Sequence, residues 1–392
     1  MWSVEWDGGF VVGGDDNRKL TPNFRLKEFR HPGGTVRVHR ELVSALQMLR
    51  ERMGRTIAIR ATDPDGLGAT IGADDVDGLL KAADSLEAHK LFTEAAQRGD
   101  LVHVRIPDPA RMPAIALEQA LEAAFSVTSA FETAGDRFEQ VTGNFDDAGL
   151  SFGPVQWNFG SGTLVPLFDK FAAADEAALR GCFRDPADYA EWTHVLRSPV
   201  REQIRWANDI SAGRGRQDVV EPWKGYLQAV GRVRRFRAIM VEEALRMYGG
   251  KVVDAVRYLE RLAPHIQIDH LRCVCSLYDL AIQQSSLDKA HAEIEARVRE
   301  HPPRDQFELV RVAVEERGRK AAAPWRADCV SRRVGILNGV PETVDGVQRA
   351  NLNFYMLRDV RISGARDALA SDVTPQLARV ADALAGGESL LA

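Results

Sequence analysis

Apolar side chains recur at three- and four-residue intervals along much of this chain, and the places where that rhythm breaks suggest how it is divided. Over residues 39–53, Leu42, Val43, Leu46, Leu49 and Met53 form one stripe of a helix. Gly54 ends it, and Thr56 to Arg60 follows as a short strand. A second helix is predicted over 75–97, with Leu79, Leu80, Ala83 and Leu86 on one face, and Leu101 to Ile106 reads as another strand. Pro107, Pro109 and Pro113 then punctuate the chain, and a domain junction is expected there. Beyond it, helical periodicity covers 114–131, 164–181, 186–195, 198–211, 221–248, 250–262, 269–284, 286–300, 305–320, 324–336 and 348–357. The one clear interruption is Gly143 to Gly162, rich in Gly, Asn, Asp and aromatic residues, which reads as a β-hairpin or small sheet. The pattern predicts a small α+β domain over 1–110 and a mainly α domain over 111–392 that carries a small β-hairpin sheet. Residues 386–392 read as a frayed tail.

Composition changes this picture little. The 392 residues fit two or three domains at about 150 residues each. Lys and Arg number 51 against 56 Asp and Glu, a net charge of −5 that gives no drive toward nucleic acid or an anionic membrane. No apolar run approaches the roughly 18 residues of a membrane span. The start, Met1 to Gly9, lacks the basic and apolar regions of a Sec signal. Cys182, Cys273, Cys275 and Cys329 form no disulfide framework or zinc spacing and read as buried thiols. No metal and no cofactor is expected.

The candidate chemistry lies between 127 and 164. A carboxylate, Glu132, ends an apolar helix, and a Gly- and Asp-rich hairpin follows. That layout sets one carboxylate in an apolar helix-end pocket, beside Phe131, and another on a hydrated turn. Glycoside hydrolysis needs this asymmetry, with a proton held on one group and a charge kept on the other. Asp146 and Asp147 both suit the second role, while Glu139 reads as structural.

Thr128-Ser129-Ala130-Phe131-Glu132, followed by Asp146-Asp147-Ala148-Gly149-Leu150-Ser151-Phe152-Gly153, resembles the lysozyme superfamily. The resemblance is greatest to its chitosanase-like branch, glycoside hydrolase family 46 and relatives. There a Glu ends the first core helix and a D-G-x-G-[YL]-[TS]-x-G hairpin follows. The resemblance implies Glu132 as general acid, Asp146 as the base-side carboxylate and Ser151 as the hydroxyl that helps hold the attacking water. Gly153 to Asn158 is similar to the G-x-x-Q-[FWI] strand that lines the substrate groove. This implies Gln156, Trp157 and Asn158, together with Asp147 and Phe152, as substrate contacts; Phe152 and Trp157 also suit a hairpin core. The motif's first glycine is Asp147 here, so Asp147 competes with Asp146. Chitosanases carry an acidic residue after a G-[TS]-G turn, whereas Gly160-Ser161-Gly162-Thr163 runs into Leu164, which shifts the expectation from chitosan to peptidoglycan. The resemblance spans 115–345, with its motifs in 127–164 and a late similarity over Cys329 to Gly339.

Leu20 to Phe29, Glu41 to Arg50 and Gly54 to Ile59 resemble the zinc D-Ala-D-Ala carboxypeptidase and endopeptidase family. Of that family's ligands only His103 is matched; its Asp position reads Thr70 and its first His is missing. One ligand cannot hold catalytic zinc, so the implied domain is a degenerate peptidase kept for wall binding or packing. His265 and His270 read as helix-end residues, and the basic run Gly231 to Arg237 as a solvated helix face or the lining of an anionic groove.

Together these readings imply a lysozyme-like hydrolase of β-1,4 bonds in peptidoglycan, acting with inversion if its carboxylates lie roughly 6.5–9.5 Å apart. A chitosanase, a lytic transglycosylase and a non-catalytic wall-binding protein are the alternatives. The implied partner is the peptidoglycan glycan strand, with no nucleic acid and no membrane. Without a Sec signal, the chain would reach the periplasm or wall as a phage endolysin or an injected effector. The latter would add a secretion machine and an immunity protein as partners.

Overall fold

In the computed structural model, which describes residues 6–7, 9–12, 17–31, 33–34, 36–87, 91–132, 137–364 and 374–387, the chain is mainly helical with small antiparallel sheets. Strands β1 (Trp6–Asp7), β2 (Phe10–Val12) and β3 (Arg37–His39) pair in that order. Helix α1 (Arg40–Met53) starts at His39, whose Nδ1 accepts the Glu41 N–H at 3.2 Å, and ends at Gly54 with φ 59°. Next come β4 (Ala58–Thr62), β5 (Gly68–Gly72), α2 (Val76–Glu87), β6 (Glu94–Arg98) and β7 (Leu101–Arg105). The four strands form one antiparallel sheet in the order β4-β5-β7-β6, with α2 packed on β6 and β7.

Of the helix predicted over 75–97, α2 covers Val76–Glu87, and residues 88–90 lie outside the described residues. Residues 94–98 form an edge strand instead, with Ala96 opposite His103. Pairing to β7 overrides the helical preference of Glu94-Ala95-Ala96-Gln97-Arg98, a tertiary effect that local periodicity does not report.

Helix α3 (Leu117–Glu132) leads to β8 (Val141–Thr142), β9 (Ser151–Phe152) and β10 (Trp157–Asn158); the small sheet expected between Gly143 and Gly162 thus begins two residues earlier, at Val141. Then follow α4 (Leu164–Gly181), α5 (Pro186–Arg197), α6 (Val200–Asp209), the hairpin β11 (Ser211–Ala212) and β12 (Asp218–Val219), α7 (Trp223–Arg232) and α8 (Arg234–Leu262). The predicted 221–248 helix breaks at Val233, whose ψ of 115° is extended. Gly249 and Gly250, where a break was expected, lie inside the 29-residue α8. The chain continues through α9 (Leu271–Gln284), α10 (His291–Glu300), α11 (Gln306–Arg319), α12 (Arg326–Asn338), the hairpin β13 (Thr343–Val344) and β14 (Val347–Gln348), α13 (Leu352–Tyr355) and α14 (Thr374–Gly386). Of the tail predicted over 386–392, residues 388–392 lie outside the described residues. Among the described residues, no helix is long and apolar enough to cross a membrane.

The chain does not divide at 107–113. Residues 1–127 and 250–371 make one compact unit, and 128–249 with 372–390 make another. The physical reason lies in the buried charges of the first unit. The Asp359 side chain, 5% exposed, accepts from Arg40 Nε at 2.5 Å and Arg272 Nε at 2.6 Å, with His39 Nε2 at 3.5 Å and His270 Nε2 at 3.9 Å. Glu41 Oε1 accepts the Asp359 N–H at 2.7 Å and Arg358 Nε at 3.0 Å, and the Ser44 hydroxyl donates to the Gly339 carbonyl. The start of α1 buries these groups against residues between 307 and 359, so residues 1–110 do not form a separate unit.

The core of the second unit is aromatic. Phe168 lies 4.8 Å from Trp192 and 5.0 Å from Phe236 between ring centres, and Trp206 lies 4.9 Å from Trp223. The cysteines are all free; Cys182 is half-buried, and the other three are buried as expected.

Candidate functional site

The last turn of α3 brings Glu132 out of the second unit's core. Thr128 and Ser129, one turn earlier, are fully buried, whereas Glu132 is half-buried. The Ser129 hydroxyl accepts from Arg137 Nη1 at 2.9 Å, tying the end of the helix to the segment that leads into β8. Tyr248, near the middle of α8, lies within electrostatic reach. Burial pushes its phenol above the ordinary value, and the charge of Glu132 pushes it further. Nothing in the sequence marks Tyr248, because only the fold brings it near Glu132.

The small sheet sorts its six residues into two rows. Register places Thr142 opposite Ser151 and Ser151 opposite Asn158, while Val141, Phe152 and Trp157 form the alternate row. Successive side chains on a strand point to opposite faces, so one row is polar and the other apolar. Phe152 and Trp157 are 0% and 1% exposed, and the Phe152 ring lies 5.9 Å from Phe236. Both therefore belong to the core and do not line a surface groove.

On the polar row Ser151 is 3% exposed, and Thr142 and Asn158 are half-buried. The Thr142 hydroxyl donates to Gln156 Oε1 at 3.1 Å, and Gln156 Nε2 donates to the Gly153 carbonyl at 3.0 Å. Asn158 Oδ1 accepts the Ser161 N–H at 2.8 Å. Gln156 and Asn158 are thus held in place by short local bonds.

Asp146 and Asp147 sit on the exposed turn between β8 and β9. Asp146 Oδ1 accepts the Ala148 N–H at 3.2 Å, and among the described residues its carboxylate makes no ion pair. Asp147 adopts φ 62° and pairs with Arg216 Nη2 at 2.8 Å, so the two candidates differ in available charge. Buried Asn144 supports the turn: its Oδ1 accepts the Gly149 N–H and its own N–H donates to Ser211 Oγ, both at 2.8 Å. Gly143 is required by close approach, since a Cβ there would stand 2.5 Å from the carbonyl oxygens of Arg216 and Asp218. Phe145, beside Asp146, leaves 45% of its surface exposed, an apolar face that no periodicity in the sequence marks.

Glu139 is engaged by Arg232 Nη2 at 2.7 Å and Arg237 Nη2 at 3.4 Å. The basic run over 231–237 does not lie within one helix but straddles the α7–α8 break. Its Arg234 pairs with Asp382 at 3.2 Å.

In the first unit, β5 and β7 place Thr70 opposite His103, whose Nδ1 lies 3.3 Å from the Thr70 hydroxyl and whose Nε2 lies 3.6 Å from Asp63 Oδ2. Arg105 Nη1 occupies the same Asp63 oxygen at 2.9 Å. His270 caps α9 by accepting the Arg272 N–H at 3.2 Å, the helix-end role expected of it, while His265 is exposed. Among the described residues, no group of three or more His, Cys, Asp or Glu side chains is placed to hold a metal. Compared with known protein families, curated proteins and solved structures, the chain matches none.

Proposed function

We propose that the second unit is a lysozyme-like glycoside hydrolase that cleaves β-1,4 bonds in peptidoglycan, with Glu132 as general acid and Asp146 as the base-side carboxylate. The reading is carried by one observation. A helix ends in a half-buried glutamate, and a three-stranded antiparallel sheet follows with a polar row and an exposed aspartate turn. Such a pair gives the chemical asymmetry that glycosidic cleavage needs.

In this mechanism Glu132 donates its proton to the leaving glycosidic oxygen as the C–O bond breaks. Asp146 takes a proton from a water that attacks the anomeric carbon from the opposite face, which inverts its configuration. Ser151, in the polar row, fixes that water. Asp146 is preferred to Asp147 because Arg216 already neutralises Asp147. Gln156 and Asn158 orient the sugar, and the exposed Phe145 offers it an apolar face. The N-terminal segment is a peptidase-like remnant; its Thr70 faces His103 where a zinc peptidase would place an acidic ligand. The enzyme acts at the cell wall.

The test is mass spectrometry of soluble products released from purified sacculi by the wild-type chain and by Glu132→Gln. Reducing muropeptides are expected from the wild type, with a loss of roughly 100-fold or more in the variant, the scale of a general acid. Anhydro ends would identify a lytic transglycosylase instead. An absence of wild-type products would overturn the reading, and chitosan would be the next substrate to try.

A further inference from the structure

The first unit carries an open groove of about 560 Å³, lined in part by the end of α9 and the approach to α12. Three features of its wall are independent of one another and point to the same kind of ligand.

The first is an unshielded indole. Trp325, just before α12, is 61% exposed and lines the groove, and among the described residues it stacks on no other ring. An indole open on its face offers a flat apolar surface with a polar edge to a ligand in the groove.

The second is a pair of oriented amides. Gln283 and Gln284 have their side-chain carbonyls held by one guanidinium: Arg333 Nη2 donates to Gln283 Oε1 at 2.8 Å, and Arg333 Nη1 to Gln284 Oε1 at 2.5 Å. Arg333 is 0% exposed, and its Nε lies 3.4 Å from Asp279 Oδ2. Arg333 holds each carbonyl through one bond, and among the described residues neither NH₂ has a protein acceptor, so both amides keep their donors to offer. The groove thus carries two adjacent donors whose orientation is set by a buried cation.

The third is charge. Lys289 and Lys320 line the groove, and among the described residues Lys289 has no ion pair, whereas Lys320 is engaged by Glu293. The acid on this wall, Asp328, is occupied by Arg349.

A ligand that complements these walls has a flat C–H face for the indole, acceptor oxygens for two amides and a negative charge for Lys289. We infer that the groove binds a carboxylate-bearing saccharide. The inference is independent of the role given to Glu132, since all its residues lie in the other unit. A nucleic acid fits less well, because such sites use a series of stacking rings along a continuous basic track. Here there is one ring, and Glu293 and Asp328 lie beside the lysine and on the wall.

The experiment is a ligand-observed NMR titration of the full chain carrying Glu132→Gln, which removes turnover. N-acetylmuramic acid, N-acetylglucosamine and an oligouridylate are the probes. The acid is expected to bind at least roughly tenfold more tightly than the neutral sugar, the usual scale for losing one charged contact. Trp325→Ala should weaken acid binding by a similar factor, with recovery in Trp325→Phe. Lys289→Ala should reduce the preference for the acid without altering the melting curve. Equal affinity for the two sugars, tighter binding of the oligouridylate, no binding of either sugar, or full affinity in Trp325→Ala would each overturn the proposal. Wall-digestion assays on Trp325→Ala and Glu132→Gln keep its failure separate from failure of the hydrolase reading.

Discussion

Around Asp359, guanidinium groups at 2.5 and 2.6 Å and imidazoles at 3.5 and 3.9 Å leave the carboxylate no spare capacity, whereas Asp146 accepts one backbone N–H and otherwise faces solvent. Burial alone would push Asp359 up. Arg40 and Arg272, aided by His39 and His270, outweigh it and hold the carboxyl well below the usual range. Asp359 is therefore the more strongly perturbed group and the less useful one for chemistry. Perturbed ionisation marks active sites only when the perturbing partners leave room for a substrate. Here the perturbation measures how tightly the first unit is locked, and the candidate chemistry lies where the carboxylates are less encumbered.

The contrast breaks most directly at Asp359. Asp359→Ala would leave Arg40 and Arg272 buried without a counter-charge. A loss of about 3–5 kcal/mol in urea-denaturation stability is expected, as for other broken buried pairs. A loss under about 1 kcal/mol would mean that the cluster is hydrated and not locked.

Acid sharpens the same point. Burial lowers His39 to about 4, outweighing the attraction of Asp359, so the folded state keeps it neutral while the unfolded chain takes up a proton near 6.5. The stability that neutral His39 carries is complete above pH 6.5 and is lost as pH falls toward about 4. Asn keeps the cap on α1 without the titration. Relative to His39→Asn, the wild type should lose roughly 1.4 kcal/mol per pH unit across that window, measured as chemical-denaturation midpoints at several pH values. Parallel curves for the two proteins would refute the assignment.

Effects on the other side of the comparison are smaller. Gly143→Ala should destabilise the second unit by about 1–3 kcal/mol, because its methyl group meets two carbonyl oxygens and forces the β11–β12 hairpin away. Hydrogen exchange should rise in both segments, and unchanged protection would show that the hairpin yields freely. Asp147→Asn removes only the charge of an exposed pair with Arg216 and keeps a side chain that tolerates the φ of 62°. Its melting temperature should correspond to a change below about 1 kcal/mol, and wall digestion should persist. Loss of digestion in Asp147→Asn but not in Asp146→Asn would reverse the assignment of the second carboxylate.

Helices α1, α4, α5, α9 and α11 were legible because their stripes and end residues are local properties. The small sheet was legible for the same reason, from its Gly- and Asp-rich turns. What the sequence hid depends on distant partners. The strand at 94–98 exists through its pairing with β7. The division of the chain depends on contacts such as Arg40 with Asp359, 319 residues apart. Within the candidate site, Glu132, Asp146 and Ser151 could be named because they share one segment. The fate of Phe152 and Trp157 could not be decided, because a two-residue strand does not reveal which face is buried until its register is known.

The interleaving of the two units has a consequence for biosynthesis. Residues 1–127 leave the ribosome long before the 250–371 segment that completes their unit, and residues 128–249 wait in turn for 372–390. Arg40, Glu41 and their neighbours must stay hydrated during that interval, so the usual domain-by-domain order of co-translational folding does not apply. The native contacts that close each unit span much of the chain, which favours slow, late folding. No single cut releases an intact half, and neither 1–110 nor 111–392 expressed alone is expected to fold.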